Sequence, residues 1–174
     1  IDSAFLKYPY LNAPAVSGNT LQGDELIEVT DSFDQPLLLV PRSFARRRRL
    51  PRRVVQVCLK DAEDEFLGYI VTDEVLAGEA SEGAALRALH SVLGIIGPRL
   101  RLLSALPYTD AHGARLSASC YVAGPVRARP QFDLSRVSDG MFVDEDELRG
   151  LVAHQPELLT FELAWAVRSG WLFQ

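Results

Sequence analysis

The alternation of apolar and polar residues predicts a strand-rich chain. Seven runs of alternating or β-branched apolar residues are typical of strands, and turn residues join six of them into three antiparallel pairs. The predicted strands cover residues 25–29, 37–40, 54–59, 66–71, 100–108, 116–122 and 140–143. Polar turns at 31–34, 61–65 and 110–113 separate the members of each pair. The sequence therefore predicts three hairpins followed by one short strand.

Apolar residues recur at 3.6-residue spacing in three other segments, which predicts helices. The best-defined helix is predicted to be capped by Ser81 and to end at Gly94. Asp144 and Glu147 resemble a capping box at the start of a second helix. A third helix is predicted over residues 156–170, because proline suits a first helical turn.

This order of elements predicts one α/β domain over residues 24–174, with a mixed β-sheet between helical layers. A length of 174 residues and a hydrophobic content of 48% suit a single domain. Residues 1–23 lack a sustained period and are predicted to form an N-terminal arm. The aromatic residues Phe5, Tyr8 and Tyr10 indicate that this arm packs on something, with a second subunit of a homodimer as one choice.

Charge is distributed unevenly along the chain. The net charge is −5, yet residues 42–53 contain seven arginines and no acid, which leaves 11 positive against 23 negative residues elsewhere. Guanidinium groups bind phosphate oxygens bidentately, so this segment could contact a phosphorylated small molecule or nucleotide. The alternative is a short solvated helix whose arginines pair with acids of the same domain. We do not expect nucleic acid as a partner.

Other candidate chemistry adds little. No apolar run approaches the roughly 18 residues of a membrane span, so no membrane partner is expected and a cytoplasmic location is the default. Cys58 and Cys120 lie within predicted strands and are interpreted as buried thiols. The three histidines, at 90, 112 and 154, lack metal-ligand spacing. The acidic run over 144–147 is explained by helix capping, so no metal site is predicted from these residues.

One segment carries a family resemblance. Residues 73–95, DEVLAGEASEGAALRALHSVLGI, match the spacing of the Nudix box without a gap. The residues that agree with the family pattern are Gly78, Glu79, Glu82, Ala84, Ala85, Arg87, Leu89, Gly94 and Ile95. The departures are Asp73, where the box opens with glycine, and Ala88, Ser91 and Val92, where it has three helical glutamates. The chain thus resembles the Nudix hydrolases but has a degenerate box, and the resemblance implies the family's α/β/α sandwich.

The departures affect the chemistry that the resemblance implies. In the family, the helical glutamates hold Mg²⁺, which polarises a diphosphate for attack by water. A methyl, a hydroxyl and an isopropyl group cannot replace them, so we expect no metal site of the family type. Hydrolysis would then need carboxylates from elsewhere, with Asp73, Glu74, Glu79 and Glu82 nearest in sequence, and Mg²⁺ or Mn²⁺ as cofactor. Arg87 is expected to anchor the loop through an ion pair with Glu79.

The surroundings of the box are similar to the isopentenyl-diphosphate-isomerase-like branch of the superfamily. Arg52 stands where the isomerase has a metal-ligand histidine, which argues against isomerase activity.

The sequence leaves three hypotheses for the function. The first is a non-hydrolytic binding or regulatory domain that recognises a nucleotide or another phosphorylated ligand, with Arg52, Arg53 and Arg87 as candidate contacts. The second is a divergent metal-dependent hydrolase of nucleoside-diphosphate-linked compounds. The third is a homodimeric protein-interaction module.

Overall fold

The computed structural model describes residues 24–127, 130 and 142–174. Its strands are β1 (Leu26–Thr30), β2 (Pro36–Pro41), β3 (Arg52–Asp61), β4 (Phe66–Glu74), β5 (Leu100–Thr109), β6 (Arg115–Val126) and β7 (Phe142–Val143). Its α-helices are α1 (Arg42–Arg48), α2 (Ser81–Leu93), α3 (Glu145–His154) and α4 (Phe161–Arg168). Short 3₁₀ turns cover Pro156–Leu158 and Trp171–Phe173. The predicted arm over 1–23, and with it the predicted homodimer contact, lies outside the described residues, as does the first half of the strand predicted at 140–143.

The seven strands form one mixed sheet with β3 at its centre. On one side β3 pairs antiparallel with β4, and on the other it pairs parallel with β6 over most of its length. The β1–β2 hairpin joins β3 through the single pair Val29 and Arg52, and β5 pairs antiparallel with β6. The three predicted hairpins are confirmed. The parallel contact between β3 and β6 makes the sheet mixed, as predicted.

A hydrophobic core lies on each face of this sheet. One core contains the apolar side of α2, including Leu89 and Leu93, packed on odd-numbered residues of β3 such as Val57. The other contains Leu148 of α3, Leu163 of α4 and the fully buried Trp171. Odd and even residues of β3 point to opposite faces because side chains alternate along a strand. The predicted α/β/α sandwich is therefore confirmed.

Two predicted helix boundaries are wrong. Ala80, not Ser81, is the N-cap of α2, and the Ser81 hydroxyl instead lies 2.6 Å from the hydroxyl of Tyr121. The last helix does not run through 156–170: the chain forms a 3₁₀ turn after Pro156 and starts α4 anew at Thr160, whose side chain accepts from the Leu163 amide. A threonine cap competes with helix continuation, which explains the division.

The remaining ends agree with the sequence. Gly94 ends α2 in the left-handed region at φ 68°, and Asp144 and Glu147 form a complete capping box at α3. The arginine-rich segment forms α1, which packs Ala45 against Ile27 and Val40 of the first hairpin. None of the helices within the described ranges has the length and apolar character needed to cross a membrane.

Candidate functional site

The segment that resembles the Nudix box spans the end of β4, a loop and α2. Gly78 gives the loop its turn, with φ 76° in the left-handed region that glycine adopts without strain. The Ala77 amide donates to the Leu26 carbonyl, and Leu76 forms a bridge with Ile27, so the loop is fixed to the first hairpin. The start of the loop is therefore held by backbone contacts, and the Leu76 amide also donates to the Glu79 carboxylate at 3.1 Å.

Two of the three helix positions that the resemblance assigns to metal ligands are apolar and buried. Ala88 is fully buried and Val92 is 8% exposed, and both belong to the core between α2 and the sheet. Ser91, between them in the helical order, is exposed. A carboxylate at position 88 or 92 would lie in this hydrophobic core without a described cationic partner. The burial of positions 88 and 92 therefore agrees with their apolar side chains.

Arg87 is the centre of an ion network below the loop. Its Nε and Nη2 donate to the two carboxylate oxygens of Glu79, each at 2.9 Å. Its Nη1 donates to Oδ2 of Asp73 at 2.9 Å, and Nη2 also donates to the Glu74 carbonyl at 2.8 Å. The predicted Arg87–Glu79 pair is therefore present, and it extends to the end of β4. The Glu79 hydrogen bonds raise the pKa of Arg87 above its ordinary value.

Two arginines of α1 bind Asp73 and Glu74, the two acids at the end of β4. Arg46 binds Glu74 bidentately, with Nε and Nη2 each 2.6 Å from a carboxylate oxygen. Arg42 donates from Nη2 to Oδ1 of Asp73 at 2.6 Å, and its Nε lies 3.2 Å from Oε2 of Glu74. Asp73 thus bridges Arg42 and Arg87, because each of its oxygens accepts from one of them.

Glu74 is the most deeply placed acid of the network, at 4% exposure. A third arginine, Arg52, is 6% exposed and has its Nε 3.5 Å from Oε1 of Glu74. Burial opposes ionisation of Glu74, but the hydrogen bonds from Arg46 and the nearby positive charges outweigh it and lower the pKa of Glu74 to about 2. Burial lowers the pKa of Arg52, and the Glu74 charge acts against that shift. The pair is a buried ion pair at neutral pH.

The carboxylates proposed for a relocated metal site do not gather at one point. Asp73 and Glu79 are joined through Arg87, which lies between them, whereas Glu82 is exposed on the first turn of α2. Within residues 24–127 and 142–174, no group of three His, Cys, Asp or Glu side chains is placed to hold a metal ion. Hydrogen bonding by Arg87 also lowers the pKa of Glu79, so this acid is ionised and matched by a cation.

The three arginines proposed as ligand contacts are all ion-paired. Arg52 faces Glu74 and Arg87 holds Glu79 and Asp73, as described above. Arg53 points to the opposite face of the sheet from Arg52, where Nη1 donates to Glu28 at 3.0 Å and Nη2 donates to a carbonyl of the first hairpin turn at 2.6 Å. The structure does not bring these three side chains together at one surface. Their role as ligand contacts stays a prediction.

Sequence reasoning did not identify Arg42 and Arg46 as members of the site. The arginine run and the acids at 73 and 74 are 28 to 31 residues apart, and only the packing of α1 beside β1 brings them together.

The two cysteines are buried as interpreted, and burial raises the pKa of both thiols to about 12. A cleft of about 520 Å³ lies between the first hairpin turn and the β5–β6 hairpin, away from the ion network.

Comparison with known proteins identifies solved structures with a similar fold. No protein-family model matches the sequence, and no curated protein matches it significantly. The fold is similar to that of DR0079 from Deinococcus radiodurans, with a TM-score of 0.65, 20% identity, and coverage of 83% of this chain and 98% of that protein. It is also similar to a MutT Nudix hydrolase from Burkholderia pseudomallei, with a TM-score of 0.53, 19% identity, and coverage of 69% and 98%.

A further similar structure is a putative Nudix hydrolase family member from Chromobacterium violaceum, with a TM-score of 0.51, 13% identity, and coverage of 68% of this chain and 74% of that protein. At these identities the likeness concerns the fold alone. We conclude that the chain has the Nudix fold.

Proposed function

We propose that this chain is a Nudix-fold protein with a degenerate box, which binds a nucleotide or another phosphorylated ligand without hydrolysing it. One observation carries the proposal. The two core-facing helix positions that should supply carboxylates are Ala88 and Val92, and both are buried among apolar side chains. A Mg²⁺ ion needs several oxygen ligands around one point, and this helix face supplies none.

The ion network strengthens the argument against turnover of the family type. Asp73, Glu74 and Glu79 are each bound to at least one guanidinium at hydrogen-bond distance. A metal ion at these acids would have to displace arginine side chains that already neutralise them, and it would then lie beside their positive charges. Both effects oppose metal binding. The hydrogen bonds from Arg87 to Asp73 and Glu79 therefore support a structural role for these carboxylates.

Isomerase chemistry is not included in the proposal. Arg52, at the position where the isomerase has a metal-ligand histidine, is buried against Glu74. A guanidinium does not ligate metal ions. The side chain at this position is instead part of a buried ion pair with Glu74. The resemblance to the isomerase-like branch is thus limited, in this proposal, to the order of elements.

The binding part of the proposal follows from the excess of positive charge in residues 42–53. The described acids around this segment match four of its arginines, namely Arg42, Arg46, Arg52 and Arg53. The others remain exposed to solvent. Exposed guanidinium groups on a protein with a negative net charge are suited to an anionic ligand, and phosphate has the geometry that they bind best.

The test measures turnover and binding in the same samples. The full chain is incubated with Mg²⁺ or Mn²⁺ and a panel of nucleoside diphosphate sugars, dinucleoside polyphosphates and ADP-ribose. Products are read by mass spectrometry and binding by titration calorimetry. We expect heat from at least one ligand, independent of metal, and no products. Metal-dependent products would overturn the proposal, because it excludes hydrolysis. The assay includes metal ions because two of the similar folds belong to proteins described as Nudix hydrolases.

If products form, two variants show where the chemistry lies. The divergent hydrolase predicts that Glu79→Gln and Glu82→Gln each abolish turnover. Glu157→Gln is the matched control, because Glu157 is an exposed acid at a distant 3₁₀ turn. Loss of both turnover and metal binding by calorimetry, in the first two variants alone, would establish the relocated carboxylates as metal ligands.

A further inference from the structure

The exposed arginines of the 42–53 segment are Arg47, Arg48 and Arg49, which follow one another at the end of α1. Their neighbour Arg46 is committed to Glu74. No carboxylate of the described residues forms an ion pair with Arg47, Arg48 or Arg49, although the same helix pairs two other arginines with acids. Three unmatched positive charges at one helix end produce a locally positive potential on an otherwise acidic protein.

An aromatic ring fixes two of these side chains. The guanidinium carbon of Arg47 lies 5.8 Å from the centroid of the Phe44 ring, and that of Arg48 lies 5.7 Å from the same centroid. Phe44 is half-buried and packs on the small core below α1. A cation on an aromatic face keeps its N–H groups free for hydrogen bonds. Both guanidiniums are thus restrained near one ring while their donors remain available to a ligand.

Arg49 has an unusual backbone for its residue type. It ends α1 with φ 54° and ψ 42°, in the left-handed region where glycine is the common residue. A residue with a side chain costs roughly 1 kcal/mol more than glycine there. Its backbone amide satisfies the helix end, which glycine would do equally well. The arginine side chain therefore brings a charge to this corner that the turn itself does not require.

We infer that Arg47, Arg48 and Arg49 form a binding surface for a short chain of linked phosphates. The inference deepens the proposed function by moving the ligand contacts from Arg52, Arg53 and Arg87 to the outer side of α1. Three successive residues at one helix end form a small surface, which limits the ligand to a few phosphates. A long polyanion such as nucleic acid would extend past this surface onto the acidic remainder of the domain, where it would be repelled.

The probes are inorganic tripolyphosphate, a nucleoside triphosphate, a nucleoside monophosphate and a single-stranded oligonucleotide. Titration calorimetry with the full chain at low salt gives the four affinities, and repetition at high salt gives the electrostatic part. We expect tripolyphosphate and the nucleoside triphosphate to bind with similar affinity, the monophosphate to bind more weakly, and added salt to weaken all binding. Tighter binding of the oligonucleotide than of tripolyphosphate would overturn the assignment to a short phosphate chain.

A charge-matched pair of variants locates the surface. One carries Arg47→Gln, Arg48→Gln and Arg49→Gln. The control carries Arg99→Gln, Arg127→Gln and Arg168→Gln, which removes three exposed arginines from other parts of the domain. All six side chains are exposed, so both variants should fold, as circular dichroism will verify.

We expect the first variant to lose about tenfold or more in tripolyphosphate affinity, because three ion pairs are removed together, and the control to lose much less. Equal affinities in the two variants would overturn the inference while leaving the proposed function intact, with the contacts elsewhere. If the unmodified protein binds neither tripolyphosphate nor any ligand of the panel above, the proposed function fails as well. Panel binding without tripolyphosphate binding would overturn the inference alone.

Discussion

Replacement of Arg87 by glutamine removes the centre of the ion network. The arginine donates four hydrogen bonds, two to Glu79, one to Asp73 and one to a backbone carbonyl, and its side chain is 29% exposed. Removing one partner of a buried ion pair costs about 3 to 5 kcal/mol, and partial exposure reduces that figure. We expect a loss of about 2 to 3 kcal/mol in the free energy of unfolding, or about 5 to 10 °C in Tm for a chain of this length.

The measurement is urea and thermal unfolding followed by circular dichroism. Arg149→Gln is the matched control, because Arg149 forms an ion pair of the same type with Glu145, but at the surface, where both side chains are about half exposed. A pair of this kind contributes about 0.3 to 0.5 kcal/mol. The Arg149 guanidinium also lies 4.4 Å from the centroid of the Phe173 ring, which adds about 0.5 to 1 kcal/mol to the expected cost. If Arg87→Gln costs no more than Arg149→Gln, the network does not stabilise the loop and the reasoning is refuted.

Three further predictions concern protonation, packing and reactivity. Because the folded protein holds the pKa of Glu74 at about 2, below its ordinary 4.5, the stability from this group is present above about pH 4.5 and is lost as the pH falls toward 2. Urea unfolding from neutral pH to about pH 3 should show a loss of about 2 kcal/mol in the free energy of unfolding that is smaller in Glu74→Gln; equal slopes would contradict it. Gly124→Ala should destabilise the fold by about 2 kcal/mol or more, since a Cβ would meet a backbone amide at 2.9 Å and φ is 125°, whereas Gly150→Ala, with open space around it, should raise Tm slightly. Cys58 and Cys120 should resist a thiol reagent in the native state and react only after unfolding; rapid native labelling of either would show that its strand opens.

The sequence predicted the elements with strong local signals. The hairpins followed from β-branched runs and polar turns, and the end of α2 followed from Gly94, because glycine favours the left-handed conformation found there. The errors came from competing local signals. Pro156 does begin a turn, but Thr160 offers a second start, and only the packing of Leu163 into the core makes that second start the beginning of the helix.

The site was predictable only where its residues lie close in sequence. Glu79 and Arg87 are eight residues apart and were expected to pair, and they do. The contact between Arg46 and Glu74 spans 28 residues and depends on α1 packing beside the first hairpin, which neither residue encodes by itself. Charge counts indicated that the arginines could pair with acids or bind phosphate. They could not divide the segment into paired and exposed members, because that division depends on which side of α1 faces β4.

The apolar helix face and the arginine network are physically linked. A carboxylate at position 88 would be buried and would need a compensating cation, which a metal ion provides in the family that the segment resembles. With Ala88 there, no such cation is required on the helix face, and the acids at 73 and 74 are neutralised separately by Arg42, Arg46 and Arg87. Restoring one glutamate would therefore bury an unpaired charge beside a set of arginines already committed elsewhere.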